Sequence, residues 1–255
     1  MMNQVKTSTE IDNIRVSGGI LAEVLRRLVA ALEPGQTTQY LGDMAASELR
    51  SLGGKSAFLG YSPDIHSTPF PSTICISVND EIVHGIPGNR VILEGDLVGL
   101  DFGVNYDGMI TDGAVTVAAG GHPTPAQSKL LAATQQSLQL GVQQVKAGAR
   151  LGDISNAIEQ RLRRDKLGII EEMSGHGVGH MVHEEPFILN FGRAGTGPRL
   201  KAGMTIAIEP MATLGGKGIY VDDDGWTIRT RDGSLSAQFE HSVLVTEVGF
   251  EILTL

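Results

Sequence analysis

The chain has 255 residues, 41% hydrophobic and 19% charged, a balance that excludes an intrinsically disordered polypeptide. Lys and Arg total 20 against 29 Asp and Glu, a net charge of −9, so no nucleic-acid partner held by phosphate contacts is expected. The single cysteine, Cys75, excludes an intrachain disulfide, and no apolar run is long enough to span a bilayer, so no membrane role is expected either.

Residues 1–9 read as a polar N-terminal tail without the apolar core of a signal peptide, and with the lone cysteine they point to the cytoplasm. A helix is predicted from Thr7, where Thr7-x-x-Glu10 has capping-box form. Ile11, Ile14, Leu21, Leu25, Leu28 and Leu32 then recur at helical spacing until Pro34-Gly35 stops them. A second helix carries Leu41, Ala45, Leu49 and Leu52 on one side and ends at Gly53-Gly54. Short β-rich runs follow, at 72–78, 96–102 and 109–117, divided by Gly, Pro, Asn and Asp. Helical periodicity returns over 126–145, stops at Ala147-Gly148, and resumes over 154–166. The basic run Arg161-Leu162-Arg163-Arg164 there reads as a solvated face.

This second series repeats the order of the first. A shift of 113 residues sets Gly35 on Gly148, Leu41 on Ile154, Ala45 on Ile158 and Leu49 on Leu162. Gly95 precedes Asp101 by six residues, as Gly203 precedes Glu209. The expectation is an α+β fold of two similar halves, about 10–120 and 125–255, forming one domain over 10–255. Their sheets would form one curved antiparallel layer, with helices outside and a cleft along the seam.

Four carboxylates on these β-rich segments need explaining. With Tyr106 and Asp107 as a two-residue loop, Asp101 and Asp112 stand directly opposite each other, Cβ atoms roughly 4.5–5.5 Å apart. A bulge at Gly108 would offset them by one residue. Facing carboxylates repel unless a cation or shared proton lies between them; otherwise both face water at a hairpin end. Glu209 ends the apolar run 204–208, and Glu240 stands just before Val243-Leu244-Val245, so both should be buried and in need of partners. Those segments carry few Lys or Arg, which makes a divalent metal the economical answer. Nitrogen donors nearby favour Mn, Fe or Co over Ca or Mg. They are offered by His176, His180 and His183 among Gly175, Gly177 and Gly179, read as a loop whose backbone can approach a ligand. His180 alone reads as a bystander. His84 lies in Val83-His84-Gly85-Ile86-Pro87, a turn leaving a strand.

At these residues the chain resembles the type I methionine aminopeptidases, members of the pita-bread metallopeptidases, from about Glu10 to the C-terminus. The motifs are His84-Gly85-Ile86-Pro87, the Asp101 and Asp112 pair, Gly175-His176-Gly177 with His183-Glu184-Glu185-Pro186, Ile208-Glu209-Pro210-Met211, and Ser236-Ala237-Gln238-Phe239-Glu240-His241. The resemblance implies two divalent ions (Co, Mn, Fe or Zn) on Asp101, Asp112, His176, Glu209 and Glu240, with Asp112 and Glu240 bridging. It implies Glu209 as general base, His183 beside the oxyanion and His84 at the scissile amide. Phe58, Tyr61, Phe70, Cys75, Val182 and Trp226 would line a methionine pocket. The implied substrates are nascent polypeptides with N-terminal methionine, near the ribosome exit, met by a monomer.

Three features depart from that pattern: an apparent insertion at 62–69, a small Val182 where an aromatic is common, and His180 where many relatives carry Arg. Two rivals remain at this stage. One is an Xaa-Pro aminopeptidase, which usually carries an additional N-terminal domain, whereas this chain begins almost at the expected catalytic unit. The other is a non-catalytic binding relative, which typically loses ligands and gains basic patches.

Overall fold

Thr7 starts the first helix as the capping box predicts. Its Oγ1 accepts from the Glu10 N–H at 3.3 Å, and Glu10 Oε2 accepts from the Thr7 N–H at 2.7 Å. The computed structural model describes residues 5–64 and 67–255, so residues 1–4 of the expected tail and Ile65 and His66 of the 62–69 insertion lie outside the described residues. Helices α1 (Ser8–Ala31) and α2 (Thr38–Ser51) lead into strands β1 (Lys55–Ser56), β2 (Cys75–Val78), β3 (Glu81–Val83), β4 (Leu97–Tyr106) and β5 (Met109–Ala118). Helices α3 (Pro125–Val142) and α4 (Leu151–Arg164) precede β6 (Gly168–Ile169), β7 (Ser174–Gly177), β8 (Glu184–Leu189), β9 (Thr205–Ile208) and β10 (Met211–Thr213). The chain closes with β11 (Ile219–Val221), β12 (Ile228–Thr230), β13 (Ser236–Gln238), β14 (Glu240–Val245) and β15 (Phe250–Ile252). Among the described residues no helix is long and apolar enough to cross a membrane.

The main sheet runs β1-β4-β5-β14-β9-β7-β8, with β2 also on β4 and β15 also on β14, and its pairings are antiparallel. Two three-stranded sheets, β13-β10-β6 and β11-β12-β3, flank it. Leu21 and Leu28 of α1 and Leu41 and Leu49 of α2 share one core with Leu100, Phe102 and Val104 of β4. Leu130 and Leu138 of α3 and Ile154 and Ile158 of α4 share another with Ile206, Ile208 and Val243. Each fully buried side chain of this size contributes roughly 1.5–3 kcal/mol. Gly18, inside α1, shows how tightly the C-terminal segment docks: a Cβ there would lie 2.1 Å from the Leu253 carbonyl oxygen.

The β4–β5 hairpin differs from the expected register. Tyr106 pairs with Met109, so the two-residue loop is Asp107-Gly108, not Tyr106-Asp107. Both loop residues have positive φ (48° and 82°), the type I′ requirement that Asp-Gly meets, and Asn105 Oδ1 accepts from the Gly108 N–H at 3.1 Å. Asp112 consequently faces Gly103, while Asp101 faces Ala114. The offset is two residues, not zero or one. Because strand side chains alternate with period two, both carboxylates stay on one face as diagonal neighbours.

Candidate active site

Ala114 is the hub of the site's floor. It pairs with Asp101 on β4 and with Glu240 on β14, which places both carboxylates in one cross-strand row about a small side chain. Cys75 extends the row beyond Asp101. On the other side His241 pairs with Ile208, and Glu209 is the next residue. Asp112 lies two residues before Ala114, and His176 pairs with Ala207, two before Glu209. Alternation therefore points all of them to the same face. The ladders, not the loops, bring the set together.

Gly175-His176-Gly177 is strand β7 rather than loop. Its glycines answer to neighbouring backbone, not to a ligand: a Cβ on Gly175 would lie 2.4 Å from the Ala207 carbonyl oxygen, and one on Gly177 equally close to that of Glu185. Only the 178–183 connection between β7 and β8 is loop. It carries Val182 and His183.

Above the floor lies a cavity of about 290 Å³. Asp101, Asp112, His176, Glu209 and Glu240 line it together with His84, His183, Phe58, Tyr61, Phe70, Cys75, Val182 and Trp226. His180 stands outside it, with Nε2 2.8 Å from Glu10 Oε1. Asp112, His176 and Glu240 each offer a donor atom within 4.8 Å of the others. His176 Nε2 is 3.5 Å from Glu209 Oε1 and 4.0 Å from Asp112 Oδ2.

Burial dominates the electrostatics. It raises Asp101 to about 7, against the hydrogen bond from Gln238. Burial, then the charges of Asp101 and Glu209, hold Asp112 well above the usual carboxylate range. Glu209 is raised by burial and Asp101, and Glu240 by burial and by Asp112, Glu209 and Asp101. The imidazoles move the opposite way: burial, aided by His183, lowers His176 to about 3 and His84 to about 4, and burial lowers His183. Without a cation, every member is driven toward its neutral form.

A cation resolves this. His176 Nδ1 lies 2.8 Å from the Gly177 carbonyl oxygen, which can only accept, so Nδ1 carries the proton and the Nε2 lone pair faces the carboxylates. Asp101 Oδ1 and Glu240 Oε1, both buried, find no hydrogen-bond donor among the described residues. Lone pairs from carboxylates and one imidazole, turned inward with the second ring nitrogen fixed by a carbonyl, form a transition-metal donor set. The residues present fit the metal that the sequence implies.

The sequence pattern of metallopeptidase family M24 matches residues 12–247. This chain belongs to that family. It is 43% identical to the methionine aminopeptidase of Aquifex aeolicus, over 100% of this chain and 99% of that one. A crystal structure of the methionine aminopeptidase of Thermotoga maritima superposes with a TM-score of 0.94 at 38% identity, covering 100% and 99% of the two chains. The prolidase of Pyrococcus furiosus shares the fold, with a TM-score of 0.78 at 22% identity over 98% of this chain and 65% of that one. The architecture is the α+β pita-bread fold of the M24 family, and its buried carboxylate and histidine cluster is that of a metallopeptidase family.

Sequence reasoning misses two features of this M24 site, the part played by Gln238 and the contact between Tyr61 and His183. Gln238 Nε2 donates to Asp101 Oδ2 and Glu209 Oε2, each at 3.3 Å, tying two carboxylates together. Its signal was its position two residues before Glu240, on the same face of one extended segment. Tyr61 Oη lies 2.7 Å from His183 Nδ1, a contact across 122 residues that no local pattern announces. Pro63, Glu172, Met173, Ser174 and Phe187 also line the cavity.

Proposed function

We infer that this protein is a methionine aminopeptidase, hydrolysing the peptide bond after an N-terminal methionine. The observation that carries this reading is the convergence of four buried carboxylates and His176 on one sheet face, beneath an apolar wall. Asp101, Asp112, His176, Glu209 and Glu240 would hold two divalent ions of the Co, Mn, Fe or Zn kind. Bound there, the ions supply Lewis acidity, which acidifies water and polarises a carbonyl.

The chain's own groups do the rest. Glu209, ionised when the cations are bound, takes the proton of the attacking water as general base. Tyr61 Oη lies 2.7 Å from His183 Nδ1; with the hydroxyl as donor in this pair, His183 keeps an Nε2–H to donate to the carbonyl oxygen as it gains charge. His84, kept neutral by burial, contacts the scissile amide, and with its help the proton taken up by Glu209 passes to the leaving amine. Phe70 packs edge-on against Phe58 and Trp226, ring centroids 6.4 and 5.2 Å away. With Tyr61, Cys75 and Val182 they offer the methionine side chain an apolar, polarizable wall.

The catalytic unit on this reading is residues 10–255, acting as a cytoplasmic monomer on newly made chains near the ribosome exit. Metal analysis and cleavage of Met-Ala-Ser and of an Xaa-Pro peptide, on one sample, test it. Chelation should abolish Met-Ala-Ser cleavage and Mn or Co should restore it. Preferential Xaa-Pro cleavage would favour the proline-directed alternative, and a stable, metal-free, inactive protein would favour a binding role.

A further inference from the structure

Outside the cavity, four charged or titratable side chains join the start of the chain to the loop that carries Val182 and His183. Lys6, its side chain fully buried, pairs with Glu184 Oε2 at 2.7 Å. The other oxygen of Glu184 accepts from the backbone N–H groups of His180 and Met181, at 2.5 and 3.0 Å, closing the loop on its own carboxylate. His180 Nε2 in turn meets Glu10 Oε1 at 2.8 Å, while Glu10 Oε2 caps α1. Lys6 is held by its own backbone, whose N–H donates to the Gly203 carbonyl at 2.8 Å just before β9. Gly179 leaves room for its stem: a Cβ there would lie 2.3 Å from Lys6 Cε.

We propose that Lys6 and Glu184, seconded by Glu10 and His180, form an ionic clamp that positions His183 over the cavity. This rests on the reading of His183 given above. Glu184 precedes the rest of β8 directly after His183, so the carboxylate that fixes the 180–181 amides also fixes the backbone on which His183 stands. From inside the cavity, His183 Nδ1 meets the Tyr61 hydroxyl at 2.7 Å, its one side-chain hydrogen bond among the described residues. A group that must meet a developing charge loses effect when displaced by about 1 Å, and such a loss reaches about a hundredfold in rate. The ammonium of Lys6 matters because a buried carboxylate without a partner would seek solvent and take the loop with it. Lys6 does not line the cavity, and its role is positioning.

Three variants test the clamp: Lys6→Met, Lys6→Arg and the neutral pair Lys6→Met with Glu184→Gln, which keeps an amide oxygen as acceptor. Lys6→Met should lower kcat about tenfold to a hundredfold with KM within about twofold and bound metal unchanged. Lys6→Arg and the neutral pair should recover most of that loss. Amide hydrogen exchange at 180 and 181, and the His183 ring resonance, report the loop without activity. In Lys6→Met the amides should lose protection and the ring resonance should shift. Unchanged protection and ring signal, or a fall in melting temperature with kcat intact, would overturn the proposal. If His183→Ala leaves kcat unchanged, the reading of His183 fails, while the exchange data still decide whether the clamp exists.

Discussion

Asp101, Asp112, His176 and Glu240 stand on four strands of one sheet, whereas Phe58, Tyr61, Phe70, Val182 and Trp226 stand on connections between strands. On the floor, spacing is set by backbone ladders that cannot slip without turning side chains to the other face. On the wall, position comes from ring contacts and single hydrogen bonds, such as Trp226 Nε1–H to the Thr68 carbonyl at 2.9 Å. A rigid floor suits charge that must be met at fixed points. A looser wall suits an unbranched, flexible side chain. The floor should therefore govern rate, and the wall discrimination.

The largest separation of these roles is expected from Glu209→Gln, which on the proposed reading removes a base and an anionic ligand from the floor. Turnover of a Met peptide should fall by about a thousandfold or more, with metal content reduced. A loss below about tenfold would break the assignment. His183→Ala should follow, lowering kcat by about a hundredfold to a thousandfold while bound metal stays constant. Loss of metal with unchanged turnover per bound metal would instead put His183 among the ligands. Phe70→Ala is expected to act on the other axis. Its signature is a loss of preference for Met over smaller N-terminal residues of about tenfold to a hundredfold, with residual turnover of small substrates preserved. An equal loss for every substrate would mean that Phe70 holds the floor rather than the pocket.

The same contrast explains what the sequence could disclose. Asp101, Asp112, Glu209 and Glu240 were legible because carboxylates on apolar β-rich runs are costly, and cost is visible without a fold. The helices were legible from Thr7-x-x-Glu10, from periodicity and from Pro34-Gly35, all local signals. The hairpin register was not: Asn105-Tyr106-Asp107-Gly108 contains two candidate loops, and only the positive φ of Asp107 and Gly108 decides between them. The glycines around His176 suggest a loop in the sequence, whereas in the fold they admit neighbouring strands. Gln238 and the Tyr61–His183 contact depend on partners far along the chain, which composition and spacing do not encode.

A subtler effect separates floor from wall through pH in the metal-free protein. Groups raised on folding, such as Asp101 at about 7 against 3.8, hold protons in the folded state that the unfolded chain releases. Their stabilisation is complete below about pH 4 and is lost as pH rises through the folded value. His84 and His176, lowered to about 4 and 3, work in the opposite sense up to their ordinary 6.5, so the two effects oppose each other below that pH. Above it the histidine contribution fades and the carboxyls dominate. The melting temperature of chelated protein should accordingly fall between pH 6.5 and 8. Added Mn should raise it more at pH 8, where fewer protons compete for the ligands. Phe70→Ala, which changes no titrating group, should lower it by the same amount at both pH values. A chelated protein that is equally or more stable at pH 8 would mean that the four carboxyls are neutralised by something other than protons, and the case for a cation between them would lose its electrostatic basis.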